Sequence, residues 1–348
     1  MSTTKTFIVP VFIPHQGCAL DCIFCNQNTI TGNADVPSPA ETSSYLEKSL
    51  RPDRPHAVIA FYGGSFTCMP REEQDAYLGA AQSFIARGMA AGTRLSTRPD
   101  CMDDATASYL KGLGVVTVEL GVQSLSDDVL KASGRGHDAE CSLSAVAAVR
   151  SAGLELGLQF MAGLPGDTPE RFIATVNGVI AMKPDFVRIY PTLVVKGAPL
   201  EKLWARGGYS PLSLDEAVAL CASAVKLLRD AGIKVIRLGL QPSRELEDAL
   251  LAGPYHPAFG HLVESEIAYG RMAEALTDTN DKGPTHRSAP TNRMERHLFF
   301  TVNPSELSVY RGIKSANVER LRSLSGGAEV SILADAGVER GGLTVKVQ

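Results

Sequence analysis

Cys18, Cys22 and Cys25 stand at the spacing C-x3-C-x2-C within the stretch FIPHQGCALDCIFCNQNTITG, Phe12 to Gly32. Three thiols this close in one loop can converge on a single metal centre. Three readings meet the spacing. Free cysteines can be small buried hydrophobes, although a tight cluster in a loop containing Gly and Asn argues against that. His15 could complete a Cys3His set for structural zinc. Alternatively, three thiolates can hold a four-iron cluster and leave one iron without a protein ligand, open to chemistry.

The elements around this loop set its position. An apolar run, Phe7–Ile13, leads straight into it. Further apolar runs follow at Ala57–Phe61, Thr93–Thr97, Val115–Leu120, Leu154–Met161 and Phe186–Tyr190, and read as strands. Amphipathic stretches separate them at Glu41–Leu50, Arg71–Arg87, Asp103–Gly112, Asp127–Ala132, Cys141–Ala152 and Pro169–Met182. Leu214–Asp230 reads as a helix, and Ile233–Leu238 as one more strand. Strands alternating with helices predict a parallel sheet of βα units.

Each of the first six strands is followed by a Gly, Pro or polar cluster. After the cysteine loop come Gly63-Gly64-Ser65, then Ser96-Thr97-Arg98-Pro99-Asp100, then Gly121-Val122-Gln123-Ser124. Gly163-Leu164-Pro165-Gly166 and Tyr190-Pro191-Thr192 complete the series. Singly, each reads as a turn or a solvated arginine. In a βα barrel, however, all these ends share one face, where active sites are built.

With Phe24 in the aromatic position, C-x3-C-x-aromatic-C resembles the signature of the radical S-adenosylmethionine (radical SAM) superfamily. The resemblance implies an α/β fold, a partial (β/α)6 TIM-type barrel. It also implies a 4Fe-4S cluster on Cys18, Cys22 and Cys25, with S-adenosylmethionine on its open iron. The backbone of Gly63-Gly64-Ser65 would take the methionyl amino group, with Ser65 in place of the family's acidic residue. Ser96 and Gln159 would stand near the ribose. The run GVQS-x9-GRGH resembles oxygen-independent coproporphyrinogen III oxidase, and implies cofactor contacts for Gln123 and Arg135, whose guanidinium fork suits a carboxylate. Reduction would cleave S-adenosylmethionine to a 5′-deoxyadenosyl radical, fed by a low-potential donor such as flavodoxin or ferredoxin. Tyr190 and Thr192 would then face the substrate.

GGSFT, STRPD, ELGVQS, SGRGH, GLPGDT and RIYPTLVVKGAPLEKLW resemble the catalytic subunit of Elongator, a tRNA wobble-uridine-modifying enzyme. This likeness covers roughly residues 8–240 and implies an RNA substrate, possibly tRNA. With the cysteine loop starting at residue 18 and 348 residues in all, neither that family's acetyltransferase domain nor its N-terminal tRNA-binding extension is expected here. A small-molecule or tetrapyrrole substrate remains the alternative, and a non-enzymatic zinc or iron–sulfur module the rival class.

Composition sets broader bounds. A length of 348 residues with 44% hydrophobic content allows one large domain with a small appendage. Residues 1–240 are expected to be the barrel, 241–280 a helical extension packed on it, and 281–348 a strand–helix–strand–strand unit. The net charge of −4 gives no general electrostatic footprint for nucleic acid, although residues 281–348 hold 10 Lys+Arg against 7 Asp+Glu. Cys68, Cys101, Cys141 and Cys221 read as packing residues, because seven cysteines with three clustered do not form a secreted disulfide framework. With no signal-peptide layout and no apolar run near the roughly 18 residues of a membrane span, a cytoplasmic setting is expected. His256, His261 and Glu264 either reach the active site or cap a helix starting near His261. Thr277–Thr291 reads as a linker. Arg311, Lys314, Arg320 and Arg322 read as a solvated helix face, and Arg311–Ser315 as a faint, broken likeness to a phosphate-clamping GXXG loop.

Overall fold

Runs such as Val58-Ile59-Ala60-Phe61 and Leu156-Gly157-Leu158 lack polar alternation, as strands covered on both faces do. The computed structural model describes residues 6–18, 22–27, 35–51, 53, 56–281 and 297–348, the side chains of 278–281 excepted. It divides into two compact units: residues 1–217 with 227–257, and residues 218–226 with 258–348.

In the first unit, β1 (Ile8–Phe12), β2 (Val58–Tyr62), β3 (Gly92–Thr97), β4 (Val115–Gln123), β5 (Glu155–Ala162), β6 (Phe186–Pro191) and β8 (Lys234–Leu238) form a seven-stranded sheet. Its order follows the chain, β1-β2-β3-β4-β5-β6-β8, and every pairing is parallel. Sequential parallel order without reversal is the topology of a barrel wall. The crossovers carry α1 (Pro39–Ser49), α2 (Arg71–Ala86), α3 (Asp104–Gly112), α4 (Asp127–Ala132), α5 (Ala139–Ser151) and α6 (Pro169–Met182). Four of the six start where the sequence supplies a side-chain cap. Ser38 and Glu41 form a capping box, and Asp103, Asp138 and Thr168 each accept a backbone N–H. The α/β fold expected of a partial barrel is therefore present, and the seventh strand extends it.

Beyond β6 lie α7 (Pro199–Ala205), α8 (Leu214–Asp230) and α9 (Arg244–Ala249). An antiparallel pair, β7 (Val194–Val195) with β9 (Leu250–Ala252), was not legible in the sequence because each strand is so short.

The second unit has a three-stranded sheet ordered β11-β10-β12, from β10 (His297–Val302), β11 (Glu329–Ala334) and β12 (Leu343–Val347). Its core joins Ala268, Met272 and Leu276 of α10 (Phe259–Asp281) to Phe300, Tyr310 and Leu321. Two short helices, α11 (Leu307–Arg311) and α12 (Ala316–Leu324), replace the single helix expected in the strand–helix–strand–strand unit. The break falls at Gly312–Ser315, where Lys314 and Ser315 are both left-handed. Of the four basic residues there, Arg320 pairs with Glu266 and Arg322 with Glu319, while Arg311 donates to the Ile332 carbonyl. The expected linker is corrected at its start, because Thr277–Asp281 continues α10. The remainder of it lies outside the described residues.

Two of the four cysteines read as packing residues are instead bonded to each other. Cys68 and Cys101 form a disulfide between the short turns that follow β2 and β3, whereas Cys141 and Cys221 are free. Sequence spacing cannot reveal such a pairing, since adjacency of these turns follows only from the strand order. Among the described residues, no helix is long and apolar enough to cross a membrane.

Candidate active site

The cysteine loop is fastened by backbone bonds from several strand ends. His15 N–H donates to the Gly63 carbonyl at 3.0 Å, and Ser65 N–H to the Gln16 carbonyl at 2.8 Å. Ile23 N–H reaches the Ser133 carbonyl and Leu200 N–H the Ile23 carbonyl, at 3.2 and 2.7 Å. Two glycines permit this interlock. A Cβ on Gly17, whose φ is +70°, would lie 2.2 Å from the Ser65 carbonyl oxygen, and one on Gly64 would lie 2.5 Å from that of Gln16. Side chains at either place would push the two loops apart.

Cys18, Cys22 and Cys25 line a cavity of about 590 Å³ at the carboxyl ends of the strands. Phe24, Gly63, Gly64 and Ser65 line it too, as do Ser96, Gln123, Arg135 and Gln159, so the structure gathers all eight residues singled out for cofactor contact. Tyr190 belongs to the lining and packs with Phe24 and Met161. Thr192 does not. It is buried, and its hydroxyl donates to the Ala162 carbonyl at 2.9 Å, which is a structural position. His256, His261 and Glu264 are outside the lining as well.

Local chemistry differs around this mouth. Arg135 is 5% exposed, not the surface arginine it would be in isolation. It donates to Cys22 Sγ at 3.0 Å and to the Gly121 carbonyl at 2.6 Å. Arg98, equally buried, holds Asp100 through two bonds and the Arg135 carbonyl through a third. Burial works against ionising Asp100, but the Arg98 bonds more than offset it and keep the carboxyl below its usual range. Ser65 Oγ turns inward, accepting Arg98 N–H at 3.0 Å and meeting Thr97 Oγ1 at 3.2 Å. At this position only the backbone is left to face a ligand.

Gln123 carries the most informative backbone. The β4–β5 register shifts between Gly121 and Gln123, and Gln123 adopts φ +65°. A bulge of this kind re-aims a side chain at the end of a strand. Here the Oε1 atom is buried without a hydrogen-bond partner, an uncommon state that calls for an occupant. Two of the thiols are also displaced from their ordinary state. Burial, then the neighbouring Cys22 and Cys18 thiols, push Cys25 up to about 12, and burial likewise raises Cys18.

The barrel interior below holds a network that sequence reasoning missed. Glu119, 3% exposed, accepts from Arg188 Nε at 2.5 Å and from the Tyr62 hydroxyl at 3.1 Å. Arg94 stands 3.6 Å from the same carboxylate. Burial, then Glu119, pushes the Tyr62 hydroxyl up to about 12. Tyr62, Glu119 and Arg188 all line the cavity. The available signal was charge within otherwise apolar strands: Arg94, Glu119 and Arg188 are each placed where a core strand should have none.

Comparison with known proteins agrees with this geometry. A family model described as the Radical SAM superfamily matches residues 12–178, and one described as the Radical_SAM C-terminal domain matches residues 184–269. A tRNA uridine(34) acetyltransferase of Dehalococcoides mccartyi is 34% identical over 68% of this chain and 60% of its own length. Elongator complex protein 3 of Drosophila melanogaster is 27% identical over 73% of this chain and 47% of its own. The solved structure of archaeal Methanocaldococcus infernus Elp3 with an N-terminal deletion superposes with a TM-score of 0.59 at 22% identity, covering 78% of this chain and 64% of that one. The chain thus spans less than two thirds of the length of these relatives. With the two family models matched in succession along most of its length, the chain belongs to the radical SAM superfamily.

Proposed function

We propose that Cys18, Cys22 and Cys25 hold a 4Fe-4S cluster, that S-adenosylmethionine binds beside it, and that the reaction modifies a nucleotide of an RNA such as tRNA. The carrying observation is the convergence of three thiols, a glycine cradle and an orphaned Gln123 oxygen on one cavity. The residues present fit such a pair of groups. Among the described residues no three His, Cys, Asp or Glu side chains close on a single ion; a four-iron cluster takes each thiolate on its own iron. Bound together, cluster and S-adenosylmethionine supply a 5′-deoxyadenosyl radical for hydrogen abstraction.

The remaining work belongs to the chain. Gly64 presents backbone close to the cysteine loop, where a Cβ would intrude, and Gly63 holds a φ of +91° that favours glycine. Arg135, already donating to Cys22 and to Gly121, is placed to hold a carboxylate beside the thiols. Gln123 and Gln159 offer amides, and Ser96 a hydroxyl, for ribose oxygens. Tyr190, half-buried as Phe24 is, covers the far side of the site, and the Glu119–Arg188–Tyr62 network forms its floor.

RNA as substrate is supported by the tRNA-modifying enzymes among the relatives. The unit that includes residues 258–348 would assist in holding it, and a flavodoxin or ferredoxin in the cytoplasm would reduce the cluster. The test is retention of tRNA on the purified protein. We expect tRNA released progressively between 50 and 500 mM salt, roughly as phosphate contacts behave, and raising S-adenosylmethionine turnover in the reconstituted enzyme. Neither retention nor stimulation by any tRNA would overturn the RNA assignment.

A further inference from the structure

Arg188 of β6 and Arg237 of β8 are direct register partners in the parallel sheet, and both line the cavity. Two guanidinium groups on adjacent strands repel each other. Arg188 is compensated by Glu119, the one acidic side chain in the lining among the described residues. Arg237 is not: among the described residues it bonds the amide oxygen of Gln241 and has no ion-pair partner. Its charge therefore stands over the cavity without a counter-charge, at the edge of the sheet opposite β1.

The groups around Arg237 are donors. Gln241 accepts from Arg237 through Oε1, which leaves its NH2 group. Ser243 caps α9 by accepting Leu246 N–H at 3.1 Å, which leaves its hydroxyl hydrogen. Both residues line the cavity. We infer that Arg237, Gln241 and Ser243 form a subsite for an anionic oxygen group of the substrate, a phosphate or a carboxylate. Such groups accept only, and they match a guanidinium fork with flanking donors. This rests on the radical SAM reading for what the cavity contains, and adds the class of group that the substrate must present. Apolar Leu193, Val195 and Leu240 line the same cavity.

The test is calorimetric titration of the reconstituted full-length protein, with S-adenosylmethionine present, using uridine 5′-monophosphate, glutarate and uridine as probes. At least one anion should bind about tenfold or more tightly than uridine, equivalent to about 1.4 kcal/mol. Preference for the nucleotide identifies a phosphate, and preference for glutarate a carboxylate. Arg237→Gln should abolish the preference, with visible cluster absorption reporting that the fold is kept, and Arg237→Lys should restore part of it. Equal binding of all three probes, or an undiminished preference in Arg237→Gln, would overturn the inference. Because titration needs no turnover, failure to cleave S-adenosylmethionine would count against the enzymatic reading and leave this result standing by itself.

Discussion

At the scale of residues, the three cysteines and Phe24 are legible because their chemistry is local, spacing alone putting the thiols in one loop. The Gly63-Gly64 pair is legible as a motif and is brought to that loop by the β1–β2 pairing. Gln123 could be flagged by motif, but not the left-handed backbone that aims it, since a bulge depends on the partner strand. Glu119 and Arg188 were illegible for the same reason, as they meet across 69 residues only once the sheet has curled. One residue prediction concerns Asp167 in the Gly163–Asp167 turn. Burial raises its carboxyl to about 6, although the backbone N–H groups of Gly163 and Thr168 donate to it. The folded state thus holds its proton at a pH where the unfolded chain has lost it. The stabilisation this gives is full below about 4 and is lost as pH rises to about 6. In thermal melts, wild type should gain on Asp167→Asn as pH is lowered from 7 to 4. A difference independent of pH would contradict the assignment.

At the scale of elements, the strand–helix alternation emerges from the sequence because the elements carry their own periods and several helices their own caps. What it conceals is how neighbouring turns are joined. The Cys68–Cys101 disulfide ties the turn after β2 to the turn after β3, the same turns that carry Ser65 and Arg98. Closing 33 residues of chain constrains the unfolded state by about 3–4 kcal/mol in the chain-entropy treatment. Reduction should therefore lower the melting temperature by several degrees. Cys101→Ser should reproduce that lower value and become insensitive to reductant. An equal melting temperature with and without reductant would show that the bond does not form in solution, as is usual under the reducing conditions of a cytoplasm. Gly17→Ala tests a second junction. The clash with the Ser65 carbonyl should loosen the cysteine loop and reduce iron loading to less than half. Full loading would contradict the interlock described above.

At the scale of the whole molecule, the fold, the family and the cavity agree. A parallel sheet in sequential order places the strand ends on one face. The three cysteines, the eight residues singled out for cofactor contact and Tyr190 meet in the cavity there, whereas Thr192 and the Gly163–Gly166 turn do not line it. The two-unit division is not written in the sequence in any local way, since residues 218–226 of one continuous helix group with the later unit. The central claim is that the three cysteines support reductive cleavage of S-adenosylmethionine. Anaerobic reconstitution with iron and sulfide, reduction by dithionite and chromatographic assay for 5′-deoxyadenosine test it most directly. The expected result is brown protein that forms 5′-deoxyadenosine, with Cys22→Ala losing both colour and product by at least about a hundredfold. Colourless protein with stoichiometric zinc on Cys18, Cys22 and Cys25 and no 5′-deoxyadenosine would contradict it.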